Sequence, residues 1–242
     1  MKFMGGVAVL IIVALVAGAS PATAADPSFE RAFGKGVNGG SGFENCVNSA
    51  TCVQGVASGD AGAFFQASDA VFDTHGGLLV TDYTNNRINR YLVGEDGSVT
   101  FQRTFGYGVQ NGQPEAFQNC VSNCQAAPAS NDAAGALYSP WKITIDNEGR
   151  LLVAEYSNGR VSRFNLAADG TASFDRAWGW DVNPGGAAGF ETCTTSCQKG
   201  QPASEAAGSL NGPDGIAVDA SGAIYVGAVS YTHLTLPTNR EV

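Results

Sequence analysis

The chain has 242 residues, with 13 Lys and Arg against 22 Asp and Glu, a net charge of −9. That balance disfavours nucleic acid or an anionic membrane surface as partner, because both are held by clustered cations. Only 14% of the residues are charged while 32 are glycine, a composition that suits short strands and many turns rather than long helices.

Residues 1–24 are predicted to be a secretory signal peptide. Lys2 supplies the positive start, residues 7–17 form an apolar run too short for a membrane span, and Ala22-Thr23-Ala24 fits a small-residue cleavage site. The alternative, an uncleaved anchor, is disfavoured because Gly18, Ser20 and Pro21 break the run early. Starting at Ala25, the mature chain carries 12 cationic against 22 acidic side chains, a net charge of −10. No later segment is apolar for long enough to span a bilayer, so a secreted or cell-envelope exterior location is expected, with no membrane insertion after signal removal.

The chain repeats itself. Ser28-Phe29-Glu30-Arg31-Ala32-Phe33-Gly34 recurs as Thr100-Phe101-Gln102-Arg103-Thr104-Phe105-Gly106 and as Ser173-Phe174-Asp175-Arg176-Ala177-Trp178-Gly179, at offsets of 72 and 73 residues. In the last copy Phe174, Arg176, Trp178 and Trp180 alternate with small or polar residues, the period of a strand with one aromatic face. A close cysteine pair follows each copy: Cys46 and Cys52, Cys120 and Cys124, Cys193 and Cys197. Six cysteines in an exported chain imply disulfides, and of 15 possible connectivities local pairing is the simplest, since the pairs occupy equivalent places in the repeat. The inserts holding them are rich in small residues and are expected to lack a core of their own, with disulfides as staples. Neither Cys-x3-Cys nor Cys-x5-Cys matches a zinc or redox pair.

A strand–turn–strand unit comes next, three times: Ile143-Thr144-Ile145-Asp146 to Leu151-Leu152-Val153, with counterparts from Ala70 to Val80 and from Ile216 to Val226. Its Asp-x-x-Gly turn has a physical cause, as Asp bonds its own turn backbone and Gly takes the left-handed position. The flanking runs are apolar at nearly every position, as in strands covered on both faces. A second hairpin follows at Asp82-Tyr83-Thr84-Asn85-Asn86-Arg87 and at Glu155-Tyr156-Ser157-Asn158-Gly159-Arg160, and a third turn at Asp96-Gly97 and Asp169-Gly170. Four antiparallel strands at a fixed period are a propeller blade.

Gly212-Pro213-Asp214-Gly215-Ile216-Ala217-Val218-Asp219-Ala220-Ser221-Gly222-Ala223-Ile224-Tyr225-Val226 closely resembles the NHL repeat, and Asn85-Asn86-Arg87-Ile88 and Asn158-Gly159-Arg160-Val161 resemble its second half. The resemblance spans roughly residues 26–227, with the cysteine loops as insertions. It implies an all-β fold, a β-propeller of four-stranded antiparallel blades comprising an N-terminal outer strand, two full blades and the first two strands of a third. The first repeat has Ser68-Asp69-Ala70 in place of the Pro and Gly of the third, which puts the geometry of its opening turn in question. The lone first strand is expected to complete a final blade, as in closed propellers. After Val226 the pattern lapses: position 228, where Asp82 and Glu155 stand in the other repeats, is Ala228, and Val229-Ser230-Tyr231-Thr232-His233-Leu234-Thr235-Leu236-Pro237-Thr238 looks like a reading frame of a transposon-based sequencing adapter. The expected organisation is therefore a signal peptide at 1–24, a partial propeller at 25–227 and an artefactual tail at 228–242, from a longer protein of ~4 to 8 blades.

In a blade that runs outward from the central channel, the cysteine insert and the second hairpin emerge on one face. Loops on a rigid scaffold are where binding residues concentrate, and aromatic and Arg side chains are favoured anchors. The candidate binding residues are Asp82, Tyr83, Asn85 and Arg87, Glu155, Tyr156, Asn158 and Arg160, and Trp141 at the start of an inner strand. The competing reading makes the recurring acid, Asn and Arg part of the blade architecture. Before the suspect tail the only histidine is His75, in a turn on the opposite face, so acid–base or metal chemistry has little to draw on. No catalytic or metal-ligating residue and no cofactor is assigned. The expected function is a binding or scaffold module for a protein, peptide or glycan. The alternative is a lyase or lactonase-like enzyme with its key residues in further blades; such relatives use His, carboxylates or a divalent ion near the channel.

Overall fold

A computed structural model of the protein describes residues 28–201 and 206–229. The predicted signal peptide and positions 230–242 of the suspect tail lie outside the described residues.

The Asp-x-x-Gly turns fold by the predicted mechanism. They join β3 (Ala67–Phe72) to β4 (Gly77–Asp82), β8 (Pro140–Ile145) to β9 (Leu151–Glu155) and β13 (Pro213–Val218) to β14 (Ile224–Ala228). The Asp73 carboxylate accepts from the N–H groups of His75 and Gly77, both at 2.8 Å; Asp146 accepts from Glu148 and Arg150, and Asp219 from Ser221 and Ala223. Gly76, Gly149 and Gly222 adopt φ of 79°, 79° and 87°, a conformation that a Cβ would strain.

β5 (Arg87–Val93) and β6 (Val99–Tyr107) complete the first blade, and β10 (Arg160–Leu166) and β11 (Ala172–Trp180) the second, every neighbouring pair antiparallel. β4 and β9 are buried along their whole length, because blades pack on both of their faces. Leu79, Ile88, Phe105, Ile143, Val153 and Phe164 form the core between the two blades. Leu152, Val161, Leu210 and Val226 close the second blade onto the third unit. β14 alternates instead, with Val226 and Ala228 buried but Tyr225 and Gly227 exposed, as expected of a strand packed on one face. The inner strands β3, β8 and β13 lie side by side.

Each full blade holds one strand more than predicted. β7 (Phe117–Cys120) pairs with β6 and β12 (Phe190–Cys193) with β11, giving two five-stranded sheets, and β2 (Phe43–Cys46) pairs in the same way with β1 (Ala32–Lys35). The extra strand belongs to the cysteine insert, folded back along the outer edge. The inserts are not coreless either: Cys120 and Cys124 are buried with Val109 and Ala127, and Cys193 and Cys197 with Ala177 and Val182. For these two inserts the expectation of loops without a core is corrected, because the disulfide itself supplies their apolar centre.

The extra strands also bind blades together. Asn119 donates to the Ala172 carbonyl at 2.8 Å and accepts from its N–H at 2.9 Å, and Asn45 does the same for Val99. Two arginines also reach the next blade's third turn: Arg31, just before β1, donates to the Asp96 carbonyl, and Arg103 of β6 donates to that of Asp169.

Candidate functional site

The second hairpins hold two matching clasps. The Asp82 carboxylate accepts from the N–H of Phe65 at 2.9 Å, from the Asn85 amide at 2.8 Å and from Arg87 Nε at 3.0 Å. The remaining Arg87 donors go to the carbonyls of Gly59, Asp60 and Ala63 in the preceding insert and of Gln125 in the following one. All five guanidinium N–H donors are thereby used. Glu155, Asn158 and Arg160 repeat the arrangement, with Arg160 gripping Asp132, Ala133 and Ala136 on one side and Gln198 on the other. Burial pushes the Asp82 carboxyl up from its ordinary range, against the pull of Arg87, the Phe65 N–H and Asn85.

Six of the nine candidate binding residues are therefore interior. Asp82, Arg87, Glu155 and Arg160 are 0% exposed, Asn158 1% and Asn85 5%. They offer no surface to a ligand, because the two inserts close over them. This corrects their assignment to an exposed binding face and leaves them as the joints between successive inserts. Ala228 pairs with Pro213 as Glu155 pairs with Pro140 and Asp82 with Ala67, so it stands in the clasp position of the third unit without a carboxylate.

The other three candidates come together. Trp141 meets Tyr83 edge-on, with ring centroids 5.1 Å apart and planes at 82°, and Tyr156 on its other side at 6.1 Å and 48°. These rings, with Asp214 and Val229, line an open hollow of about 360 Å³. A bulge produces the arrangement. Each inner strand slips register at its start, between Pro140 and Lys142 and between Pro213 and Gly215, and the extra residue is Trp141 in one blade and Asp214 in the next. A bulge re-aims a side chain out of the ladder. In the first blade the slip falls between Ala67 and Ala70, where the Thr81 hydroxyl accepts from the N–H groups of Ser68 and Asp69. The first repeat thus keeps the opening geometry without Pro or Gly.

Asp214 and Val229 lie on the hollow outside the nine sequence candidates. Asp214 was visible as the position one repeat beyond Trp141, but nothing local marks Trp141 or Asp214 as bulged; Val229 falls in the 228–242 segment read from the sequence as an artefactual tail. The Tyr156 ring rests against Gly212, whose φ is 61° and where a Cβ would come within 2.9 Å of the ring. His75 is exposed in its turn between β3 and β4 and does not line the hollow. The disulfides Cys46–Cys52, Cys120–Cys124 and Cys193–Cys197 are all formed locally. Among the described residues no three His, Cys, Asp or Glu side chains are grouped to hold a metal ion.

Residues 137–164, which run from the end of one insert through β8, β9 and most of β10, match the NHL repeat. No curated protein matches the chain in sequence. Among solved structures, a protein from Lactobacillus plantarum is similar at 12% identity with a TM-score of 0.41, over 82% of this chain and 45% of that one. The virginiamycin B lyase of Staphylococcus aureus is similar at 14% identity with a TM-score of 0.34, over 76% of this chain and 56% of that one. The chain thus spans about half the length of these structures.

Proposed function

We propose that this chain, which carries an NHL repeat and folds as blades of a β-propeller, is an exported binding module whose ligand docks on the aromatic strip of Tyr83, Trp141 and Tyr156. The observation that carries this reading is the contrast between the strip and the clasps: the polar residues of the second hairpins are consumed internally, while three rings line an open hollow, Tyr156 exposed and Tyr83 and Trp141 half-buried. Large, stiff side chains give contact area at little entropic cost, so surface aromatics act as anchors for peptides and glycans. The disulfide-centred inserts hold the hairpins that carry Tyr83 and Tyr156, which pre-organises the strip. Disulfides are compatible with an extracellular setting.

The test is binding of the full chain to peptide and glycan arrays, repeated with Trp141→Ala and with Tyr225→Ala, which removes an exposed ring outside the hollow. Ligands of the module should lose at least tenfold in affinity with the first variant and little with the second. Chelator-sensitive turnover of a small ester or lactone, unchanged in Trp141→Ala, would favour the enzyme reading instead.

A further inference from the structure

The hollow also states the charge of its ligand. Aromatic faces are electron-rich and attract a cation placed over them, and Trp141 carries a tyrosine on either side. Asp214 shares the hollow and is exposed. Among the described residues its carboxylate has no ion pair or hydrogen bond, whereas Asp60, Asp69, Asp73, Asp82, Asp146 and Asp175 each face a Lys or Arg. No Lys, Arg or His lines the hollow to neutralise it. Three rings and an unpaired carboxylate in one recess are complementary to an organic cation, and the mature chain's net charge of −10 adds long-range attraction.

We propose that the hollow binds the cationic side chain of a peptide, with the rings of Tyr83, Trp141 and Tyr156 against the head group and its stem and the Asp214 carboxylate pairing with its charge. This rests on the aromatic strip being the binding surface. The second blade contributes both its bulged residue, Trp141, and its hairpin residue, Tyr156, while the first gives the hairpin residue Tyr83 and the third unit the bulged Asp214; Asp214 thus sets the charge preference where Trp141 supplies the contact.

The experiment titrates the full chain with a short acetylated, amidated peptide containing one arginine, and with the same peptide containing citrulline, a neutral side chain of matching shape. Calorimetry reads the affinity. The arginine peptide should bind at least tenfold more tightly. The preference should vanish in Asp214→Asn and persist in Glu95→Gln, which removes the same charge from an exposed turn elsewhere. Both peptides should be lost in Trp141→Ala. Equal affinity for the two peptides, with loss in Trp141→Ala, overturns the charge inference and leaves the aromatic binding surface standing. A preference weakened equally by Asp214→Asn and Glu95→Gln reduces it to general acidity and also overturns it. If no peptide or array glycan responds to Trp141→Ala, both proposals fall.

Discussion

Asp82 and Tyr83 are adjacent in the chain, as are Glu155 and Tyr156, yet each pair straddles two regions with opposite roles. The acids close inward on Asn and Arg and are fully buried; the tyrosines turn outward to the two sides of Trp141. Both regions repeat from blade to blade, so repetition alone does not separate architecture from contact surface. What separates them is whether every polar group already has a partner. The clasps leave nothing over for a ligand, and the hollow leaves three rings and a carboxylate.

Removing a clasp Arg is the largest disturbance available. Arg87→Ala strands the buried Asp82 and should cost about 3 to 5 kcal/mol in urea unfolding. Replacing both partners by apolar residues often relieves such a loss, but Asp82→Leu with Arg87→Met should stay strongly destabilised. Four insert carbonyls would still lose their Arg87 donor; those of Asp60 and Ala63 keep the Ala63 N–H and the Asn89 amide, so the loss falls on Gly59 and Gln125. Recovery to the parental midpoint would show that the ion pair, and not the grip on the inserts, is the joint.

Replacing both Cys120 and Cys124 by Ser should cost about 2 kcal/mol and raise hydrogen exchange in β7, since the sulfurs are the centre of that insert's small core. Acid should act through other carboxylates. Burial would raise Asp73, but Arg90 and the N–H groups of Gly77 and His75 hold it below its ordinary value, and hydrogen bonds from Ser221 and Ala223 lower Asp219 to about 2. A carboxyl depressed in the folded state stabilises above its unfolded pKa and loses that contribution as pH falls through the folded value. The melting temperature should therefore drop between pH 3.8 and about 2, less steeply in Asp73→Asn; the raised Asp82 works in the opposite sense. The smallest effect on folding belongs to Trp141→Ala, no more than about 1 kcal/mol, although it should have the largest effect on binding. A loss of several kcal/mol there would move Trp141 from the contact surface into the architecture.

The elements whose causes are local were legible along the chain. The Asp-x-x-Gly turns, the period-two aromatic strand and the apolar runs of β4 and β9 each follow from neighbouring residues, and the 72- and 73-residue offsets placed them in blades with the cysteines in local pairs. Tertiary structure alone decided three things. The insert gains its strand by pairing with an edge and docking Asn119 on a backbone 53 residues away. The hairpin Arg is buried because carbonyls 24 to 38 residues distant converge on it. Trp141 and Asp214 face the hollow because a one-residue register slip turns them out of the ladder. In each case the same side chain, in the same local sequence, would serve equally well at the surface or in the interior. Its role depends on which distant backbone groups arrive to meet it, and pattern along the chain carries no record of that.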